Sequence, residues 1–317
     1  LKKGLPRTEE LAYFAFMKFL QRFILGYRLN FARYDQDYGQ DPRYAGQGRR
    51  AASGVGCNPR LIMALLLIGF ACYSYFFNTY EYENMYTGKK QRLAIGTAAE
   101  EVAMGLQSAP GMIREFGGEH PDPRAQQMVD QVGMKLIQAS DVKNSEYKFD
   151  FHLLRDDKTI NAFALPGGQI FITAALFKAL ENEDQLAGVL GHEIGHVVGR
   201  HSNAQMAKSG FIQQLFQGIG LLIGGDSGAG GMNAAQMVGN MLSMKYGRDD
   251  ELESDRLAVK YLFAANYNPE EMVGVMEILK KAGGGKQPEL MSTHPDPGNR
   301  IEHIKEEIAK YRSGQQR

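Results

Sequence analysis

Tryptophan is absent from this chain, and cysteine occurs twice, at Cys57 and Cys72. Two cysteines, one in a polar linker and one in an apolar segment, make neither a disulfide framework nor a thiolate metal centre. Gly69-Phe70-Ala71 before Cys72 also lacks the leucine of a lipidation box. Net charge is missing too, with 36 Lys and Arg against 36 Asp and Glu. That balance gives no basic footprint for nucleic acid and no pull toward an acidic substrate. No internal repeat is visible, and no tandem helical array is read in the sequence. The chain begins at Leu1 rather than at a methionine, leaving its natural start open.

Long uncharged runs are scarce, and the clearest one covers residues 61–77. A membrane helix needs about 17–25 such residues. Asn78, Thr79 and Tyr80 extend the run without charge, and Tyr73, Tyr75, Phe76, Phe77 and Tyr80 crowd one end like an interfacial belt. We therefore expect a transmembrane anchor over 61–80. Arg49, Arg50 and Arg60 precede it and Glu81 and Glu83 follow, which favours a cytoplasmic N-terminus, with Lys89, Lys90 and Arg92 as a counterweight. A cleaved signal peptide and a buried core helix are the competing explanations. Residues 1–60 divide into an amphipathic segment, where Lys18 and Arg22 interrupt the apolar run, and a polar linker over 34–59.

Histidine is also rare, at seven in 317 residues, yet two lie four apart in Leu190-Gly191-His192-Glu193-Ile194-Gly195-His196. On a helix, residues four apart share a face with Cβ atoms about 5–6 Å apart. Both rings can then reach one zinc ion, and Glu193 can approach water there from the side. This is the H-E-x-x-H pattern of metallopeptidases. A catalytic zinc needs a third protein ligand. One candidate is His201, a near miss to H-E-x-x-H-x-x-G-x-x-H: Gly199 fits, but the last histidine comes one residue early. The other lies in Asp249-Asp250-Glu251-Leu252-Glu253-Ser254-Asp255, before an amphipathic run. Glu251 and Asp255 share a helix face, so Glu251 can be the ligand. Asp255 can accept the free ring N–H of a ligand histidine. Glu253, the rival carboxylate, points about 200° away from Glu251.

With these motifs in place, the chain resembles the HtpX and CAAX prenyl-protease family of zinc metallopeptidases, and within it the compact single-span bacterial type. The resemblance covers about residues 85–312. It rests on H-E-x-x-H, Glu251-x-x-x-Asp255, Asn161-Ala162-Phe163-Ala164-Leu165-Pro166-Gly167-Gly168, and Thr293-His294-Pro295 followed by Arg300-Ile301. Ser254 stands where the family usually has alanine. The resemblance implies an α+β, mainly helical, zincin-like domain over 85–317 with a small β-sheet. It implies one Zn2+ held by His192, His196 and Glu251, with Asp255 behind them and Glu193 as general base. It also implies a role for His294 and Arg300, with His294 either steadying the oxyanion or plugging the metal, and a substrate edge strand at Asn161, Ala162 and Phe163. The implied partners are polypeptides and the membrane. The implied setting is the bacterial inner membrane, crossed once, with the catalytic domain extracytoplasmic and engaged in protein quality control. An inactive or latent binding protein on the same fold is the alternative.

Residue patterns place helices at 92–117, 122–139, 174–181, 183–200, 248–264, 268–282 and 298–311, and strands at 147–154 and 169–173. The glycine-rich stretch 218–232 between the two metal-binding helices reads as a long connection or a mobile lid over the cleft.

Overall fold

The computed structural model describes residues 59–223, 245–282, 289–294 and 299–314. The amphipathic segment and linker of 1–58, and the part of the glycine-rich stretch beyond 223, lie outside the described residues. What is described is mainly helical, with two small sheets.

The first helix, α1 (Pro59–Phe77), coincides with the uncharged run. It packs along α6 (His201–Ile223), and the small side chains of Ala64 and Ala71 are fully buried. Tyr75 meets Phe211 there at a ring separation of 4.8 Å. Met63, Leu65, Phe70, Phe76 and Phe77 stay exposed. Among the described residues no helix is long and apolar enough to cross a membrane. The expected anchor over 61–80 is cut short because Tyr80–Glu83 leaves the helix as strand β1, pairing antiparallel with β2 (Lys90–Leu93). Arg92 fastens this hairpin to the helix end, donating to the Phe76 carbonyl at 3.1 Å and lying over the Phe76 ring.

The hairpin also shortens the helix expected at 92–117. Helix α2 (Ala98–Glu115) starts six residues later, where Thr97 and Glu100 form a reciprocal capping box. After α3 (Pro123–Ala139) the chain enters a three-stranded sheet of β3 (Asp150–Leu154), β4 (Ala162–Ala164) and β5 (Gln169–Thr173), in the order β3-β5-β4. The β3–β5 pair is parallel and β4–β5 is antiparallel, which puts β4 at an edge. The turn between them needs glycine. Gly167 has φ +85, and a Cβ there would lie 2.4 Å from the Val102 Cα of α2.

A short helix, α4 (Ala174–Ala179), leads into α5 (Glu183–Gly199), whose Asn182 cap accepts from the Gln185 N–H. Helix α5 is buried from Gln185 to Gly199. Its strongest partner is α7 (Arg248–Ala264), with α8 (Glu271–Ala282) and α3 also against it, and α10 (Arg300–Arg312) packs on α7. A short helix, α9 (Glu289–Thr293), lies between α8 and α10 in sequence. Glycine sets the α5–α7 spacing: a Cβ on Gly195 would meet Ser254 Cα at 3.0 Å. The continuous apolar core formed by Leu190, Ile194, Val198, Leu257, Ala258 and Leu262 holds both helices in register. The stretch 218–232 is not wholly a loop, since α6 continues to Ile223.

Candidate active site

Helix α5 presents His192 and His196 one turn apart, and their Nε2 atoms approach to 3.0 Å. Helix α7 brings Glu251 against both, with Oε2 3.4 Å from His192 Nε2 and Oε1 3.3 Å from His196 Nε2. His294, at the end of α9, completes the group: its Nδ1 lies 3.3 Å from His192 Nε2 and 3.0 Å from Glu251 Oε1. One ligand atom from each of these four buried residues lies within 4.8 Å of the others. The structure thus brings the histidine face of α5 and Glu251 of α7 together, with His294 beside them.

Asp255 sits one turn beyond Glu251, fully buried, and its Oδ1 is 2.9 Å from His192 Nδ1. Arg300 donates to both oxygens of Asp255, at 2.7 and 2.8 Å, and its second terminal nitrogen is 3.1 Å from Glu251 Oε2. Arg300 is thus anchored on the two carboxylates. Burial disfavours the carboxylate of Asp255, yet Arg300 and His192 outweigh it and hold the group below its usual range. Glu251 behaves alike: burial opposes its charge, but His294, His192 and His196 keep it well below the ordinary value. His192 is destabilised as a cation by burial, while Asp255 and Glu251 raise it to about 9. Burial takes His196 well below its ordinary value, and the Glu251 carboxylate beside it only partly offsets that.

Glu193 is buried on the same turn, and burial raises its carboxyl above the usual range despite His294 and His192 nearby. Its Oε2 makes no hydrogen bond, and neither does His294 Nε2, which lies 3.7 Å from Glu193 Oε1. Unpaired buried polar atoms beside imidazole nitrogens facing each other at 3.0 Å are the mark of a cation site. Two imidazoles and a carboxylate suit zinc. His192, His196 and Glu251 would hold it, with His294 Nδ1 beside them.

His201 is not among these ligands. Helix α5 ends at Gly199, Arg200 turns the chain with φ 58, and the His201 ring folds back onto Gly199. Its Nδ1 meets His196 Nδ1 at 2.9 Å, on the side away from the ligand group. Glu253 likewise points away, 3.3 Å from the Lys89 ammonium.

Asn161 and Phe163 line a cavity that His294, Tyr246 and Ser202 also border. The Asn161 side-chain oxygen is buried there without a hydrogen bond. Backbone bonds from Thr173 to Asn161 and from Leu165 to Gln169 fix the ladder phase, which directs the Ala162 and Ala164 backbone groups to the open side of β4. A second, apolar cavity touches His192, Glu193 and His294 from the α8 side and is lined by Met272, Met276 and Leu279. Tyr246 was not foreseen. Its ring stacks on His196 at 4.0 Å, its hydroxyl meets Ser202 Oγ at 2.8 Å, and its N–H donates to the Thr293 carbonyl. An isolated tyrosine before an acidic helix carries no sequence signal for such a place.

The fold and this site have the ligand set expected of a metallopeptidase family, and comparison with known proteins identifies that family. The model of peptidase family M48 matches residues 123–308, well over half of the chain, and the chain belongs to that family. It is 30% identical over 223 residues to the beta-barrel assembly-enhancing protease of Escherichia coli K12, covering 65% of this chain and 45% of that protein. It is 29% identical over 196 residues to the mitochondrial metalloendopeptidase OMA1 of Saccharomyces cerevisiae, covering 57% of this chain and 55% of that protein. Metalloprotease YcaL of Escherichia coli K12 is 30% identical over 150 residues, 47% of this chain and 59% of that protein. The chain thus spans about half the length of the curated relatives it matches.

Proposed function

We propose that this chain is a zinc-dependent endopeptidase, anchored at a membrane, that cleaves unfolded or misassembled proteins. The observation that carries the reading is the convergence of His192 Nε2, His196 Nε2 and Glu251 on one buried point beside Glu193. A zinc ion held by these residues would supply a Lewis acid for the scissile carbonyl and the attacking water. Glu193 takes the proton of the attacking water and delivers it to the leaving amine. Its burial keeps it more basic than an exposed glutamate, which suits both transfers. A binding protein on a dead peptidase fold has no use for this carboxylate.

Asp255 holds His192 with its Nε2 lone pair toward the ligand group, and Arg300 holds Asp255. Arg300 thereby acts on the ligands and not directly on substrate. His294 shares the ligand cluster through Nδ1, which favours the plugging role over oxyanion stabilisation in this resting arrangement. It must withdraw for a peptide carbonyl to enter. The peptide lies extended along β4, pairing with Ala162 and Ala164 and reaching the Asn161 amide. Such backbone pairing suits an unfolded chain, and the role named for the beta-barrel assembly-enhancing relative fits a quality-control task.

Membrane association is supported by the exposed apolar side chains of α1 and the arginines before it. We place the catalytic domain on the extracytoplasmic side of a bacterial inner membrane. The test is hydrolysis of casein by the purified full chain, with chelator and zinc add-back. Cleavage lost on chelation and restored by zinc is expected. Cleavage that ignores the chelator, or stoichiometric zinc without any cleavage, overturns the proposal.

A further inference from the structure

His201 is completely buried, although it holds no place among the ligands. It packs directly behind His196: the two Nδ1 atoms are 2.9 Å apart and the rings meet edge to face at 5.0 Å. Gly199 makes this possible, since a Cβ there would lie 2.4 Å from His201 Nε2. The same Nδ1 is 3.3 Å from the Ser254 hydroxyl of α7. On the far side of the ring, His201 Nε2 faces Glu253 Oε1 at 3.8 Å, and both atoms are buried without a hydrogen bond. Glu253 is tied through its other oxygen to Lys89 of the β1–β2 hairpin, 3.3 Å away.

Proton placement follows from these contacts. A neutral imidazole carries one N–H and one lone pair. His196 turns Nε2 to the ligand group, so its proton sits on Nδ1 and is donated to His201 Nδ1. His201 then accepts at Nδ1 and carries its own proton on Nε2, aimed at Glu253. We infer that His201 is a positioning residue for the metal centre, fixing the ring and tautomer of His196, and that Glu253 orients His201 in turn. The inference rests on the zinc reading above. His192 has its carboxylate, Asp255, in direct contact, whereas His196 has its own one imidazole further away.

A partner behind a ligand histidine is worth about 10–100-fold in metal affinity. The experiment is zinc affinity by chelator competition on the full chain, with melting of the metal-free protein alongside. His201→Leu should weaken zinc by about 10–100-fold. His201→Asn, whose side-chain oxygen falls near the Nδ1 position, should recover most of the loss. Glu253→Gln should weaken zinc less than His201→Leu does, and adding it to His201→Leu should change nothing further. An unchanged dissociation constant in His201→Leu overturns the inference, as does equal loss in Leu and Asn variants. If His201→Leu fails to fold, Glu253→Gln decides: unchanged affinity there overturns the chain. Wild-type protein that binds no zinc would instead overturn the metallopeptidase reading, a distinct result.

Discussion

Replacing Asp255 by asparagine changes one atom in a fully buried position, and the consequences can be worked through bond by bond. Asp255 Oδ1 receives Arg300 at 2.7 Å and His192 Nδ1 at 2.9 Å, while Oδ2 receives Arg300 Nε at 2.8 Å. All three neighbours act as donors when His192 binds metal through Nε2. Asparagine offers one oxygen and one NH2, so either orientation sets a donor against a donor. Breaking a buried charge pair on one side costs about 3–5 kcal/mol when the remaining charge is stranded. Here the cost is smaller, because Arg300 keeps a second carboxylate, Glu251 Oε2, at 3.1 Å. That rescue would be drawn from the ligand group, since a Glu251 pulled closer to the guanidinium would hold a metal less well. Zinc affinity should therefore fall by the upper part of the about 10–100-fold range for a lost partner behind a ligand. Metal-free stability should fall by about 1–3 kcal/mol, the cost of an unsatisfied buried polar group. Chelator competition and urea unfolding with and without zinc measure the two separately. Wild-type zinc affinity in Asp255→Asn would refute the coupling of Arg300 to Glu251 through Asp255.

The two helices that build the site were legible in sequence because each carries both its start signal and its chemistry. Asn182 before Glu183 and Asp184 marks the beginning of α5, and the acidic run 249–251 marks that of α7. Spacing alone then brings His192 to His196 and Glu251 to Asp255. The β1–β2 hairpin was not legible: Tyr80–Glu83 and Lys90–Leu93 are mostly polar, and their register comes from long-range contacts. One such contact is the Asn84 amide donating to the Val198 carbonyl of α5 at 2.7 Å. Periodicity also cannot show that Arg200 departs from the helix, so the sequence leaves His201 as a near miss to a ligand spacing and does not reveal where its ring goes. A left-handed residue at that point reverses which side of His196 the second imidazole meets. Tyr246 and His294 arrive in the site through the Tyr246–Thr293 backbone bond, which joins segments far apart in sequence.

Glu193→Gln should retain stoichiometric zinc while casein hydrolysis falls to background, because the amide keeps the shape and loses the basicity; metal analysis beside the assay checks it, and comparable turnover would remove Glu193 from the mechanism. Gly167→Ala should destabilise the domain by more than the about 0.4–1 kcal/mol scale of ordinary glycine effects, since φ +85 and the Val102 backbone both oppose a side chain there; thermal melting tests it, and an unchanged midpoint would show that the turn relaxes freely. His294→Ala separates two mechanisms by sign. With Nδ1 at 3.0 Å from Glu251 and 3.3 Å from His192, the imidazole sits within the ligand group, so if it plugs the site as proposed its removal should raise the initial rate on an unfolded protein. A donor to the oxyanion would instead lower the rate by about 10²–10³-fold at unchanged zinc content. The structure favours the rise, because His294 Nε2, the atom free to donate, faces Glu193 at 3.7 Å. A fall in rate with zinc retained would show that the ring swings to serve substrate once the cleft opens.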